Sequence, residues 1–93
     1  MTTKQRSKLR SMAQTVEPIG QIGKGGISDN MIEGLSAALE ARELVKITVL
    51  KNSDDGAGDL ARELAERLNA EVVCTIGRKI VLYRRSEKNL IEL

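Results

Sequence analysis

The apolar residues of this 93-residue chain change their spacing several times from one end to the other. Segments with apolar residues three and four positions apart, as on one side of a helix, alternate with short β-branched runs that are typical of strands. Their order predicts an α/β fold, α-β-α-β-α-β-β. Two right-handed strand-helix-strand connections would join parallel strands, and a final hairpin would add an antiparallel one. We therefore expect three helices and a four-stranded mixed sheet.

Three helices are predicted, and each has a signal at one of its ends. Thr2 or Thr3 can cap the first helix, which Pro18 would stop. The apolar side of that helix would be formed by Leu9, Met12, Ala13 and Val16. Ser28 is suited to cap the second helix, and Asn69 is expected to end the third.

Four strands are predicted, and the last two form a hairpin. The first is a short edge strand, Pro18–Ile22, and the second is Leu44–Lys51. The other two, Glu71–Ile76 and Lys79–Arg84, are separated by Gly77-Arg78, a two-residue turn signal with glycine first. The last two strands should therefore be antiparallel.

Length and composition limit both the domain count and the classes of function. Residues 1–93 have room for a single domain, with residues 86–93 as a loose polar tail. The only cysteine is Cys74 and histidine is absent, so the usual zinc ligand sets and Ser-His or Cys-His nucleophile pairs cannot form. Tyr83 is the only aromatic residue, which excludes base stacking on an aromatic platform as a main mode of binding. We expect no enzyme, no metal, no membrane span and a cytoplasmic location.

The charge of the chain is unevenly distributed, although its net value is only +2. Residues 1–26 carry +4, residues 27–76 carry −5 and residues 77–93 carry +3. A basic face would result if the two ends meet in space. The alternative, which is the usual fate of a charge run, is a solvated surface without a partner.

The segment Gly23-Lys24-Gly25-Gly26 joins a predicted strand to a predicted helix. Free backbone N–H groups, the positive end of a helix dipole and a lysine meet there, and this combination binds anions, usually phosphate. A lone G-x-x-G pattern can equally be a tight turn with no ligand. The nucleotide-loop motif G-x-x-x-x-G-K-[ST] has no match, so no nucleotide cofactor is expected.

Four stretches of the chain together carry a family pattern. They are Leu9-Arg10-Ser11-Met12-Ala13, Ile22-Gly23-Lys24-Gly25-Gly26-Ile27-Ser28, Ala38-Leu39-Glu40-Ala41-Arg42-Glu43-Leu44-Val45-Lys46 and Ile76-Gly77-Arg78-Lys79-Ile80-Val81-Leu82-Tyr83-Arg84. In these stretches the chain closely resembles the CRM domain (chloroplast RNA splicing and ribosome maturation) family, in its stand-alone, YhbY-like bacterial form. The resemblance implies a fold similar to the C-terminal domain of translation initiation factor three.

The resemblance also implies RNA binding through the G-x-x-G loop. Stand-alone bacterial members are associated with precursors of the large ribosomal subunit, so we expect a monomer that binds ribosomal RNA and assists ribosome assembly. Phosphates would sit against the amides of Lys24, Gly25 and Gly26. The full set of expected RNA contacts is Gly23, Lys24, Gly25, Gly26, Lys4, Arg6, Lys8, Arg10, Arg78, Lys79 and Arg84. The rival hypothesis is a protein-interaction module of ribosome assembly that uses the acidic second and third helices.

Overall fold

The structure is a computed structural model that describes all residues from Met1 to Leu93. Its elements are α1 (Thr3–Ala13), β1 (Gly20–Ile22), α2 (Asp29–Arg42), β2 (Leu44–Val49), α3 (Ala57–Leu68), β3 (Glu71–Ile76) and β4 (Lys79–Tyr83). The predicted order α-β-α-β-α-β-β and the four-stranded mixed sheet are confirmed.

The strands lie in the spatial order β1-β2-β4-β3. β1 pairs with β2 in parallel, and β4 is antiparallel to both of its neighbours, β2 and β3. The first strand-helix-strand connection therefore joins adjacent strands. The second connects β2 to β3, which run in the same direction but are separated by β4.

Helices cover both faces of the sheet. α2 and α3 pack on one face over the larger apolar cluster, which consists of Ile22, Leu35, Leu39, Val45, Ile47, Val49, Leu60, Ala61, Leu64, Leu68, Ile80 and Leu82. α1 packs on the other face over a smaller cluster of Leu9, Ala13, Leu44, Val73, Val81 and Tyr83. Because strand residues alternate between faces, β2, β3 and β4 contribute to both sides, whereas β1 contributes only Ile22 to the larger cluster. None of the three helices combines the length and the apolar character needed to cross a bilayer.

α1 begins as predicted but ends earlier. Thr2 is the N-cap, and its hydroxyl accepts a hydrogen bond from the Gln5 amide while the Gln5 side chain accepts one from the Thr2 amide. The helix ends at Ala13, so the prediction that it continues to Pro18 is wrong. The helix ends there because the following residues join the sheet. The Ile19 amide donates a hydrogen bond to the Lys46 carbonyl at 2.9 Å.

The predicted ends of the other two helices are confirmed. The Ser28 hydroxyl accepts a hydrogen bond from the Met31 amide at 3.1 Å and caps α2. Asn69 ends α3 in the left-handed conformation, with φ of 52°. Glu43 ends α2 in the same way, with φ of 68°, although only glycine and asparagine commonly occupy that position.

Residues 86–93, which the sequence suggests as a loose tail, are instead anchored on the domain by the buried side chain of Glu43. One carboxylate oxygen accepts hydrogen bonds from the amide and hydroxyl of Ser86 and the amide of Leu90, at 2.6–3.0 Å. The other oxygen accepts from the Ile91 amide at 2.7 Å. Burial raises the pKa of Glu43, but these hydrogen bonds outweigh it and lower that pKa to about 2.

Candidate nucleic-acid interface

The glycine loop and the basic hairpin lie at the same end of the sheet. β1 and β2 are parallel, so the loop that follows Ile22 is beside the C-terminal end of β2. The β3–β4 turn reaches the same end, because Lys79 pairs with Thr48 and the Val49 amide donates to the Arg78 carbonyl at 2.6 Å. The fold therefore brings residues about 50 positions apart in the sequence to one edge.

The segment Gly23-Lys24-Gly25-Gly26 forms a tight turn. The Gly26 amide donates to the Gly23 carbonyl at 3.1 Å, and Gly25, the third residue, has φ of 101°. This combination is typical of a type II β-turn, which needs positive φ at its third position. Lys24 is exposed at the apex of the turn.

Glycine is favoured at the loop positions for two different physical reasons. A Cβ atom on Gly23 would lie 3.0 Å from the Asn52 side-chain oxygen and 3.2 Å from a Leu50 methyl carbon, so a side chain there would require these two side chains to shift. Gly25 and Gly26 face open space, but both have positive φ, at 101° and 72°. Their requirement for glycine is conformational, and no protein atoms cover the outer surface of the turn.

At the apex of the turn, two amides have no hydrogen-bond partner within the protein. They belong to Lys24 and Gly25, whereas the amide of Gly26 is used by the turn itself. Of the three amides expected to bind phosphate, those of Lys24 and Gly25 are therefore free to donate, and that of Gly26 is engaged within the turn. The next residues lead into the capped N-terminus of α2, where the helix dipole is positive.

The basic charges of the surface are mostly unpaired. Of the 15 Lys and Arg side chains, only Arg62, Arg67 and Arg84 lie within 4.0 Å of a carboxylate. α1 has four basic residues and no acidic one, whereas α2 and α3 each carry three carboxylates. Because these helices lie on opposite faces of the sheet, the α1 face is basic and the other face is acidic.

The two basic ends of the chain meet on the α1 face. Arg10 of α1 and Lys79 of β4 line the same groove, together with Lys46 of β2. Lys46 is not among the residues expected from the sequence to contact RNA. Its position between the core residues Val45 and Ile47 was the available signal, because strand alternation places it on the opposite face from them.

Arg6 has a structural role in this arrangement. Its guanidinium donates to the carbonyls of Val72 and Val73, at 2.6 and 2.8 Å. The pairing of β3 with β4 is irregular between Val72 and Cys74, and such a bulge leaves backbone groups unpaired. Arg6 satisfies these carbonyls and ties α1 to β3, so we do not retain it as an RNA contact.

Arg84 is also committed to the protein interior, on the acidic side of the sheet. Its guanidinium donates to the Leu68 carbonyl at 2.9 Å and to the Ser36 carbonyl at 2.8 Å. It also lies 4.0 Å from the Glu40 carboxylate. The carbonyl of Leu68 is at the C-terminal end of α3, so Arg84 caps that helix and connects it to α2. We therefore do not retain Arg84 as an RNA contact either.

Lys4 and Lys8 are exposed and unpaired, but they lie apart from the groove. On α1 they are four positions from each other and project from the edge opposite to Arg10. The predicted basic residues other than Arg6 and Arg84 thus fall into an inner group near the groove and the glycine loop, and an outer group on the far edge of α1.

Comparison with known proteins identifies a family pattern over most of the chain. The model of the CRS1/YhbY (CRM) domain matches residues 1–84. The chain is 47% identical over 89 residues to a Bacillus subtilis (strain 168) protein named as a probable RNA-binding protein, YqeI, and this match covers 96% of the chain and 93% of the relative. It is 29% identical over 93 residues to a Haemophilus influenzae protein named as an RNA-binding protein, with coverage of 100% and 94%.

A solved structure matches the fold over nearly the same range. It is the solution structure of SAV1595 from Staphylococcus aureus, presented as a candidate RNA-binding protein. The TM-score is 0.81 and the sequence identity is 48%, with coverage of 96% of this chain and 93% of SAV1595. The sequence and the fold therefore lead to the same group of proteins.

Proposed function

Because this chain belongs to the CRS1/YhbY (CRM) domain family, we propose that it binds RNA and grips the phosphate backbone at the glycine loop. The names of its relatives describe RNA-binding proteins rather than enzymes. The observation that carries the proposal is the exposed turn at Lys24, where two unpaired amides lie beside an unpaired lysine. An RNA phosphate supplies both the acceptor oxygens and the negative charge that this turn lacks.

In the proposed complex one phosphate accepts hydrogen bonds from the amides of Lys24 and Gly25 and pairs with the Lys24 ammonium. Glycine at position 25 lets the RNA backbone approach the amides closely. Arg78, Lys79 and Arg10 then extend the contact across the basic face, and Lys4 and Lys8 reach phosphates on the outer side of α1. Such contacts position a strand and carry no sequence information by themselves.

We take the RNA to be ribosomal RNA in precursors of the large ribosomal subunit, and the role to be assistance in ribosome assembly. This part of the proposal is supported by the resemblance to stand-alone bacterial members of the family. A single chain is the proposed binding unit, and the cytoplasm is the proposed place of action, because ribosome precursors of bacteria are assembled there.

The test compares Lys24→Ala with Lys88→Ala in binding to a fragment of large-subunit ribosomal RNA across a salt series. Lys88 is an exposed lysine on the C-terminal tail, beside α2, and serves as the matched control. On single-stranded RNA, loss of one phosphate contact should make the log-log salt slope shallower by about 0.7. We expect Lys24→Ala to lose affinity with this change in slope and Lys88→Ala to behave as wild type. Equal behaviour of the two variants would contradict the role of the loop.

The rival function, protein interaction through the acidic face, is less well supported by the contacts. Four of the six carboxylates on α2 and α3 already pair with arginine side chains. Those four are Asp29, Glu40, Asp59 and Glu63. This face is therefore partly neutralised, whereas the α1 face is not. Ribosome association that survives the loss of free-RNA binding would favour the rival.

A further inference from the structure

A groove of about 240 Å³ opens on the α1 face of the sheet, apart from the glycine loop. Arg10 and Gln14 border it from α1, where they are four residues apart and project from the same side. Lys46 and Lys79 border it from β2 and β4. Its volume is below the roughly 300–1,000 Å³ of pockets for drug-sized ligands, so it suits a single small ring system.

The floor of the groove is apolar, and Ile76 is the part of it that is open to solvent, since Ala13 and Val81 are buried. The floor is formed by Ala13, Val81 and Ile76. Ile76 is 59% exposed, more than any other large apolar residue of the chain. An apolar surface of this kind, enclosed by polar side chains, is typical of a binding site.

The rim of the groove has positive charge that nothing in the protein neutralises. No acidic residue lines it, and none of Arg10, Lys46 and Lys79 lies within 4.0 Å of a carboxylate. The nearest polar partner of Lys79 is the Thr48 hydroxyl, at 3.4 Å. A ligand that fits here has a flat apolar part for the floor and negative charge for the rim.

We infer that this groove holds one nucleotide of the bound RNA, with its base against Ile76 and its flanking phosphates at Lys46 and Lys79. The inference rests on the proposed RNA-binding function and adds base recognition to it. Gln14 and Arg10 are placed to meet the edge of the base, and these side-chain types form paired hydrogen bonds with adenine and guanine respectively. A purine also covers more of the apolar floor than a pyrimidine does. The groove therefore prefers purines.

The groove and the glycine loop are placed so that one strand of RNA can contact both. Ile76, Lys79, Thr48 and Gln21 form one row across the four strands, on the face that carries α1. Neighbouring strands are about 4.8 Å apart, so this row covers about 10 Å from Lys79 to Gln21. Gln21 is two residues before the loop. No acidic residue belongs to the row.

The experiment measures binding to an oligoadenylate, an oligouridylate and an abasic ribose-phosphate oligomer of equal length. We expect the wild type to bind oligoadenylate at least about fivefold more tightly than the abasic oligomer, with oligouridylate between them. Gln14→Ala and Ile76→Ala should reduce this preference without changing the salt slope. Both residues are exposed, so both variants should fold. Ser11→Ala, on the solvent side of α1, is the control and should leave the preference unchanged.

The outcomes separate the groove from the loop. Lys24→Ala should weaken binding to all three oligomers by a similar factor. Equal wild-type affinity for oligoadenylate and the abasic oligomer would overturn the groove while leaving the phosphate grip intact. A purine preference that survives in Gln14→Ala and Ile76→Ala would overturn it as well. Failure of the wild type to bind any of the three would reject the proposed function and the groove with it.

Discussion

The buried carboxylate of Glu43 permits a prediction about stability that is independent of RNA. In Glu43→Gln the shape of the side chain is kept, but one of the two acceptor oxygens becomes an NH₂ donor. If the remaining oxygen accepts from Ser86 and Leu90, the new NH₂ group faces the Ile91 amide, and two donors then meet. The partly buried Ile91 amide loses its partner, and the other bonds lose the assistance of the negative charge.

The expected loss follows from these contacts. An unsatisfied buried donor costs about 1–3 kcal/mol, and hydrogen bonds to a charged group are roughly twice as strong as neutral ones. Together these effects give about 3 kcal/mol, a large part of the roughly 5–15 kcal/mol that stabilises a typical domain. At roughly 4–8 °C per kcal/mol for a domain of this size, the midpoint of thermal unfolding should fall by about 12–24 °C.

The lowered pKa of Glu43 also makes its contribution to stability depend on pH. Because the pKa of Glu43 is lowered in the folded state from 4.5 to about 2, its contribution is complete above pH 4.5 and is lost as the pH falls toward 2. Urea unfolding of the wild type and Glu43→Gln at several pH values should therefore give a difference that is largest at neutral pH and shrinks through this window.

Glu66→Gln is the matched control, because Glu66 is exposed on α3 and makes no ion pair or side-chain hydrogen bond. It should unfold like the wild type at every pH. Equal stability of Glu43→Gln and the wild type at neutral pH, or a difference between them that stayed constant down to pH 2, would contradict the stabilising role of the Glu43 carboxylate. Below the unfolding temperature, RNA affinity of Glu43→Gln should be unchanged, since Glu43 lies away from the basic face.

Further predictions concern the turn and the two internal arginines. Gly25→Ala should lower the free energy of unfolding by about 1–2 kcal/mol, because φ of 101° is strained for alanine. Gly20→Ala, with negative φ and open space around it, should stay within about 0.5 kcal/mol of wild type, and equal losses in urea unfolding would contradict this account. Arg84→Met should cost about 2 kcal/mol by leaving partly buried carbonyls unpaired, and Arg6→Met should act similarly. Neither arginine variant should change the salt slope of RNA binding, and a shallower slope would restore that residue as a phosphate contact.

Much of the fold could be predicted because its signals are local. Ser28 caps α2 through an amide three residues away, and Asn69 ends α3 through its own backbone conformation. The hairpin at Gly77 needs only positive φ at that residue, which is 58°. The glycine loop is recognisable for the same reason, since a strand, a turn and a helix follow one another directly. The local pattern is insufficient to predict the end of a helix when that end is set by contact with a distant strand, as it is at Ala13.

The roles of individual charged residues could not be predicted in this way. Arg6, Arg10 and Arg84 look alike in the sequence, yet two of them bind backbone carbonyls and only Arg10 borders the groove. Glu43 follows an amphipathic helix like any solvated glutamate, and no sequence signal indicates that it anchors the tail. These differences arise from contacts between residues 16 to 67 positions apart.

Neighbouring residues are enough to specify the order of elements, the helix caps, the hairpin and the glycine turn, because each depends on backbone preferences over a few positions. The place of β4 between β2 and β3 follows only from the packing of the whole chain. That arrangement brings Lys46 and Lys79 together on the face that α1 leaves partly open. Packing also determines which lysine and arginine side chains remain free to bind a ligand. Whether a side chain is buried, paired or free to bind a ligand depends on the residues that lie beside it. Packing across the sheet determines which residues those are.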